Sequence, residues 1–162
     1  MKEVENYQVK AKFRFDTNLT LLLVAFTVFT LLLTISPDLL RNQFFLPIEI
    51  TLSIPLLIGS IFARSKLAWA KNHTKAWEDY GFITFLLAYT FLINSIGILL
   101  SSSVNLIVGL TFFIFCFLMA ISYSFFEIIE SKEKIWSRIR KDLFFGLLIF
   151  IGGVLPSINF HF

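Results

Sequence analysis

The sequence predicts an all-α integral membrane protein, a bundle of five transmembrane helices with a cytoplasmic N-terminus and an external C-terminus. Three observations carry that expectation. The chain is 57% hydrophobic and only 15% charged, whereas an ordinary soluble domain has about 25% charged residues. Its mean hydropathy is +0.80. Second, the apolar residues gather in five blocks. Four of them are about long enough, at ~1.5 Å per residue, to cross a ~30 Å hydrocarbon core. Third, the basic residues alternate with the blocks. All but one of the 14 Lys and Arg lie in three segments: Lys2, Lys10, Lys12 and Arg14; Arg64, Lys66, Lys71 and Lys75; Lys132, Lys134, Arg138, Arg140 and Lys141. Arg41 stands alone. Basic loops stay cytoplasmic on insertion, so the alternation sets the expected orientation.

The elements follow in order. Residues 1–18 are expected to form a cytoplasmic amphipathic tail, and residues 19–162 the five-helix transmembrane domain. Its spans are expected at about 19–36, 44–63, 80–100, 104–126 and 143–158. In the tail, Tyr7, Val9, Ala11, Phe13 and Phe15 alternate with Gln8, Lys10, Lys12 and Arg14. Period two predicts an extended segment with one apolar face. It would lie on the membrane surface; pairing with another protein and disorder are the alternatives. The first span closes on Thr34-Ile35-Ser36-Pro37-Asp38, a helix end and turn rather than a cleavage site, so a secretory signal is not expected.

Pro47 suits the first position of the second helix, where its missing N–H costs nothing. Pro55, inside that span, is expected to kink it. A turn near Asn72 with Thr74 as helix cap leads into the third span, whose first turns carry Glu78 and Asp79 beside the helix dipole. Trp69, Trp77 and Tyr80 read as an interfacial aromatic belt. Ser101 to Ser103 read as a tight external turn. Glu130 and Lys134 are spaced for an i,i+4 pair. The fifth block is the shortest. It crosses if its helix begins near Ile135 and Arg138, Arg140 and Lys141 snorkel to the headgroups.

The three basic segments carry a net charge of +4, which suits an anionic inner leaflet. Arg64, Lys66, Arg138, Arg140 and Lys141 are the expected contacts to it. The balance is not a nucleic-acid signal, and no nucleic-acid partner is expected. The lipid bilayer is the expected partner, with a second membrane protein or another copy of the chain as a further possibility. The expected location is the cytoplasmic membrane of a prokaryote.

Few residues offer chemistry. Cys116 is the single cysteine, so an internal disulfide and a Cys-cluster metal site are excluded. The two His residues, at 73 and 161, lie outside the spans. No catalytic set, cofactor or metal site is expected. His73, Glu78 and Asp79, with Glu127, Glu130 and Glu133 at the end of the fourth span, could bind a divalent ion if the two loops met, but match no metal motif and read as solvated interfacial charge. Glu49 is the one formally charged residue placed within the limits of a span, and intramembrane carboxylates are by default functional candidates. Helical spacing puts Ser53 on its face. Thr30, Thr34 and Asn94 are the polar residues that neighbouring spans would add to an ion or substrate pathway. The competing reading places Glu49 in the first helical turn, beside the headgroups and in water. Asn94 is read as making an interhelical hydrogen bond that fixes the bundle, with a substrate contact as the alternative. The seven-residue repeat of Thr20, Thr27 and Thr34 is read as a packing stripe or as hydroxyls bonded to their own helix.

These residues leave three functions. The leading one is an accessory, assembly or scaffold subunit acting through helix contacts. The alternative is a small oligomeric transporter or channel for a proton, cation or small solute that uses Glu49. The third is a lipid-active membrane enzyme using inner-interface carboxylates.

Overall fold

A computed structural model describes residues 2–69, 75–131 and 135–159. Among them only Ser36, Gln43, Phe44, Val104 and Asn105 fall outside helices, and none forms a strand. The helices are α1 (Lys2–Ile35), α2 (Pro37–Asn42), α3 (Phe45–Trp69), α4 (Lys75–Ser103), α5 (Leu106–Ser131) and α6 (Ile135–Ile149). A π-helical segment, Phe150–Val154, joins α6 to α7 (Leu155–Asn159). Five helical stretches are long and apolar enough to cross a membrane: Gln8–Thr34, Phe45–Trp69, Lys75–Ser103, Leu106–Phe126 and Arg138–Ile158. The all-helical class and the five blocks agree with the hydropathy pattern.

The chain divides into two compact units, Met1–Leu40 with Ile50–Tyr89, and Arg41–Glu49 with Thr90–Phe162. In the first unit α1 corrects the extended reading of the tail. It is one helix of 34 residues. The cause is cooperativity. Once residues beyond Leu19 are helical, each added residue gains a hydrogen bond without a new nucleus, and Gln, Lys, Ala and Arg all favour helix. The alternation is not wasted. Ala11 and Phe15, four apart, share a face; Ala11 is buried with Leu67 and Ala68, and the Phe15 ring meets Trp69 edge-on at 5.6 Å. Val9 and Phe13 are left exposed.

Helix α1 buries Ala11, Asn18, Ala25 and Leu32, one residue in every seven. This is the packing stripe. The parallel repeat of Thr20, Thr27 and Thr34 is exposed. Their hydroxyls donate to the carbonyls of Asp16 (3.0 Å), Leu23 (2.8 Å) and Thr30 (2.9 Å) in their own helix. Both stripes have the same period, but two alanines, an amide and a leucine make the contact face, while β-branched hydroxyls satisfy themselves locally.

A polar relay ties three helices of this unit. Asn18 Nδ2 donates to Ser60 Oγ at 2.7 Å, and Ser60 Oγ donates to the Gly81 carbonyl at 2.8 Å. Gly81 allows the approach of α4 to α3, because a Cβ there would lie 2.9 Å from the Ala63 methyl. Arg64 sits against the same glycine and is only 3% exposed. It is therefore not the headgroup contact that its place in a basic segment suggests.

In the second unit α4 turns into α5 at Val104 and Asn105; Ser101 to Ser103 are still helical, which moves the expected turn by two residues. Asn105 Oδ1 accepts the Val108 N–H at 2.9 Å, an N-cap that starts α5. Helices α5 and α6 are tied by Ser124, which accepts from Arg138 Nε (3.3 Å) and donates to Asp142 Oδ1 (2.7 Å). The Arg138 guanidinium also lies 5.2 Å from the Tyr123 ring centre. Arg138 is thus buried in a side-chain network, not presented to headgroups, whereas Lys66 and Arg140 are exposed and Lys141 is half-buried. The expected turn at Asn72, the Thr74 cap, His73 and the Glu130–Lys134 pair lie outside the described residues or side chains.

The relay makes a quantitative prediction. In a double-mutant cycle of Asn18→Ala and Ser60→Ala, followed by unfolding in detergent micelles, the two sites should couple by about 0.5–2 kcal/mol. Thr27→Val should stay within about 0.5 kcal/mol of wild type, because its hydroxyl serves only its own helix.

Candidate functional site

Glu49 and Asn94 meet within the second unit. Glu49 is the fifth residue of α3, which starts at Phe45, two residues before the expected Pro47. Pro47 is tolerated there because the first four N–H groups of a helix need no partner within it. The shift carries Glu49 out of the first turn. Its side chain is 4% exposed, so the reading that places it in water is not met. Asn94, in α4, is 0% exposed.

The Asn94 amide spends both N–H bonds on this site. Nδ2 donates to Glu49 Oε1 at 3.1 Å and to the Leu148 carbonyl of α6 at 3.2 Å. Both neighbours are acceptors, which dictates which end of the amide faces them. Helices α3, α4 and α6 are therefore joined at one side chain. Two oxygens are left over: Glu49 Oε2 and Asn94 Oδ1 are buried without a hydrogen-bond partner. Gln43 Nε2 and Ser157 Oγ, in the same unit, are also buried and unmatched.

The floor of the site is backbone. Leu148 lies just before the π-helical segment, in which Leu155 N–H bonds to the Phe150 carbonyl. Such one-turn π segments are rare and frequent at functional sites. The segment contains Gly152 and Gly153. A Cβ on Gly152 would fall onto Glu49 Oε1 and Asn94 Nδ2. A Cβ on Gly153 would strike the Phe113 ring and stand 2.7 Å from Asn94 Oδ1. Phe113 of α5 is itself buried. The site is thus a carboxylate and an amide pressed on bare backbone beside an aromatic wall.

The other candidates stand differently. Ser53 is buried and donates to the Ile50 carbonyl at 2.8 Å. Thr34 is exposed and bonds within α1, and Thr30 is exposed. Pro55 lies inside α3 with its ring exposed. All four belong to the first unit. Of the carboxylates expected at the inner interface, Glu78 is half-buried and Asp79 exposed; the Glu127 side chain lies outside the described ones. No cluster of three His, Cys, Asp or Glu residues able to hold a metal occurs among the described residues.

Gly152, Gly153, Phe113 and the Leu148 carbonyl escape a search for polar residues, since none brings a polar side chain. The adjacent glycines in an apolar span were the available signal, because only a missing side chain lets a neighbour touch the backbone.

What the arrangement can do follows from its chemistry. Glu49 Oε1 is held by the amide, and Oε2 is buried without a partner. An ionised carboxylate buried without compensating charge is costly. Glu49 must therefore be matched by a proton or by a cation, and its oxygen and that of Asn94 are the ligand type hard cations prefer.

Two substitutions test the geometry. Gly152→Ala should destabilise by about 1–3 kcal/mol through overpacking. Asn94→Ala should cost about 1–3 kcal/mol by stranding Glu49 Oε1. Thermal unfolding in detergent measures both.

No protein-family model, curated protein or solved structure matches this chain.

Proposed function

We propose that the chain is a small multi-pass membrane protein that binds a proton or a small cation at Glu49, as a transporter or channel subunit. One observation carries this reading: Glu49 is buried in a spanning helix, with Oε1 held by Asn94 and Oε2 unmatched. A carboxylate kept only for packing would have both oxygens satisfied. A carboxylate that exchanges a proton or cation needs one oxygen left for it. The accessory-subunit reading rests on the lack of a catalytic set, the short loops and the amphipathic tail; the buried Glu49–Asn94 pair favours the ion-handling reading over it.

The charge pattern supports an orientation. The three basic segments favour a cytoplasmic N-terminus and an external C-terminus in a prokaryotic cytoplasmic membrane. Glu49 then lies toward the external end of its helix. Among the described residues the connections Gln43-Phe44 and Val104-Asn105 are two residues long, which suits activity carried by the helices.

The test is flux into proteoliposomes. Wild type should move protons or a monovalent cation down an imposed gradient. Glu49→Gln keeps the shape but removes the charge, and should lower the flux about tenfold or more, the worth of one charge-assisted contact. Equal and robust flux in the two proteins would take Glu49 out of the mechanism.

A further inference from the structure

A second site lies in the first unit and does not depend on the Glu49 reading. Phe62, Ser65, Lys66, Trp69 and Trp77 line an open groove of about 530 Å³. Four of them come from α3 at spacings of three and four, one helix face; Trp77 comes from the first turn of α4. Their order along α3 sorts them by chemistry. Phe62 lies deepest in the span, Ser65 and Lys66 a turn later, and Trp69 at its last residue.

The walls are held in place. The Trp69 ring rests edge-on against Phe15 at 5.6 Å, and the Trp77 ring edge-on against Tyr80 at 6.1 Å. Phe62 and Trp69 are nevertheless 65% and 62% exposed. The groove thus has stiff aromatic sides that nothing in the chain covers among the described residues. Lys66 is the only charged group lining it among the described residues. It is exposed, with a long apolar stem that lets the ammonium reach toward the interface. The Ser65 hydroxyl and two indole N–H groups add neutral donors.

We infer that this groove binds one anionic phospholipid. The Lys66 ammonium takes the phosphate, with Ser65 and the indoles as donors, and an acyl chain lies along Phe62. Charge complementarity selects this occupant: among the described residues one cation, one hydroxyl and two indoles line the cleft and no acid does, beside Trp residues of the kind that sit at headgroup level. A general attraction of the basic segments to an anionic leaflet would spread over every exposed Lys and Arg. The groove makes a single lysine special.

Native mass spectrometry of the detergent-purified protein tests this with phosphatidylglycerol and phosphatidylcholine of identical chains. Wild type should retain phosphatidylglycerol in preference. Lys66→Gln should lower that retention about fivefold, the worth of one basic side chain near an anionic surface. Lys66→Arg should keep it, and Arg140→Gln, at another exposed cation, should leave it unchanged. Trp69→Ala should weaken retention of both lipids. Glycerol phosphate, which has the headgroup charge but no chains, should not compete. The inference is overturned if wild type shows no preference or if Lys66→Gln and Arg140→Gln lose equally. Competition by glycerol phosphate as strong as that by lipid would also overturn it, assigning the groove to a free anion.

Discussion

Water is absent from the hydrocarbon core, so a polar group buried in a spanning helix must find its partner inside the protein. This constraint organises both units. In the first, the Asn18 amide, the Ser60 hydroxyl and the Gly81 carbonyl form a chain of donors and acceptors across α1, α3 and α4. In the second, the Asn94 amide links Glu49 on α3 to the Leu148 carbonyl on α6. Apolar contact alone does not discriminate between neighbouring helices and lipid tails. Hydrogen bonds and close approach at small residues do. Each unit accordingly places glycine where its relay passes: Gly81 in one, Gly152 and Gly153 in the other.

The two relays differ in how completely they close. Ser60 both accepts and donates, so its hydroxyl is used in both directions. Glu49 and Asn94 each leave an oxygen unmatched, beside a π-helical turn that departs from ordinary α-geometry. Sites where local rules fail without compensation are where function tends to lie. A structural clamp would be better served by an apolar pair of the same volume. The incomplete closure is the physical ground for assigning the carboxylate an exchangeable partner.

Much of the fold was legible in the sequence because a membrane imposes long, uniform apolar runs. The five blocks and the helical class follow from block length. Errors arose where a local pattern met a cooperative one. The alternation of Tyr7 to Phe15 suggested an extended segment, yet α1 absorbs it as helix. Two seven-residue repeats run along α1, and period alone cannot tell the contact face from the outer one; the Ala and Asn repeat packs, and the Thr repeat does not. Charge position also misled, since Arg64 and Arg138 sit in basic segments but fold inward. At the site, Glu49 and Asn94 were visible as polar residues in apolar runs. Their backbone partner was not, because a carbonyl and two glycines leave no polar side chain to notice.

The central claim is that the Glu49 carboxyl exchanges a proton or a cation. Infrared difference spectroscopy of the protein in lipid reads this directly. Spectra of wild type and Glu49→Gln are compared while pH is stepped and again while a monovalent cation is added. The account predicts a carboxyl band in wild type that converts between protonated and ionised forms in one of these titrations and is missing in Glu49→Gln. Identical titration spectra in the two proteins would show that the Glu49 carboxyl never changes state, and would contradict it.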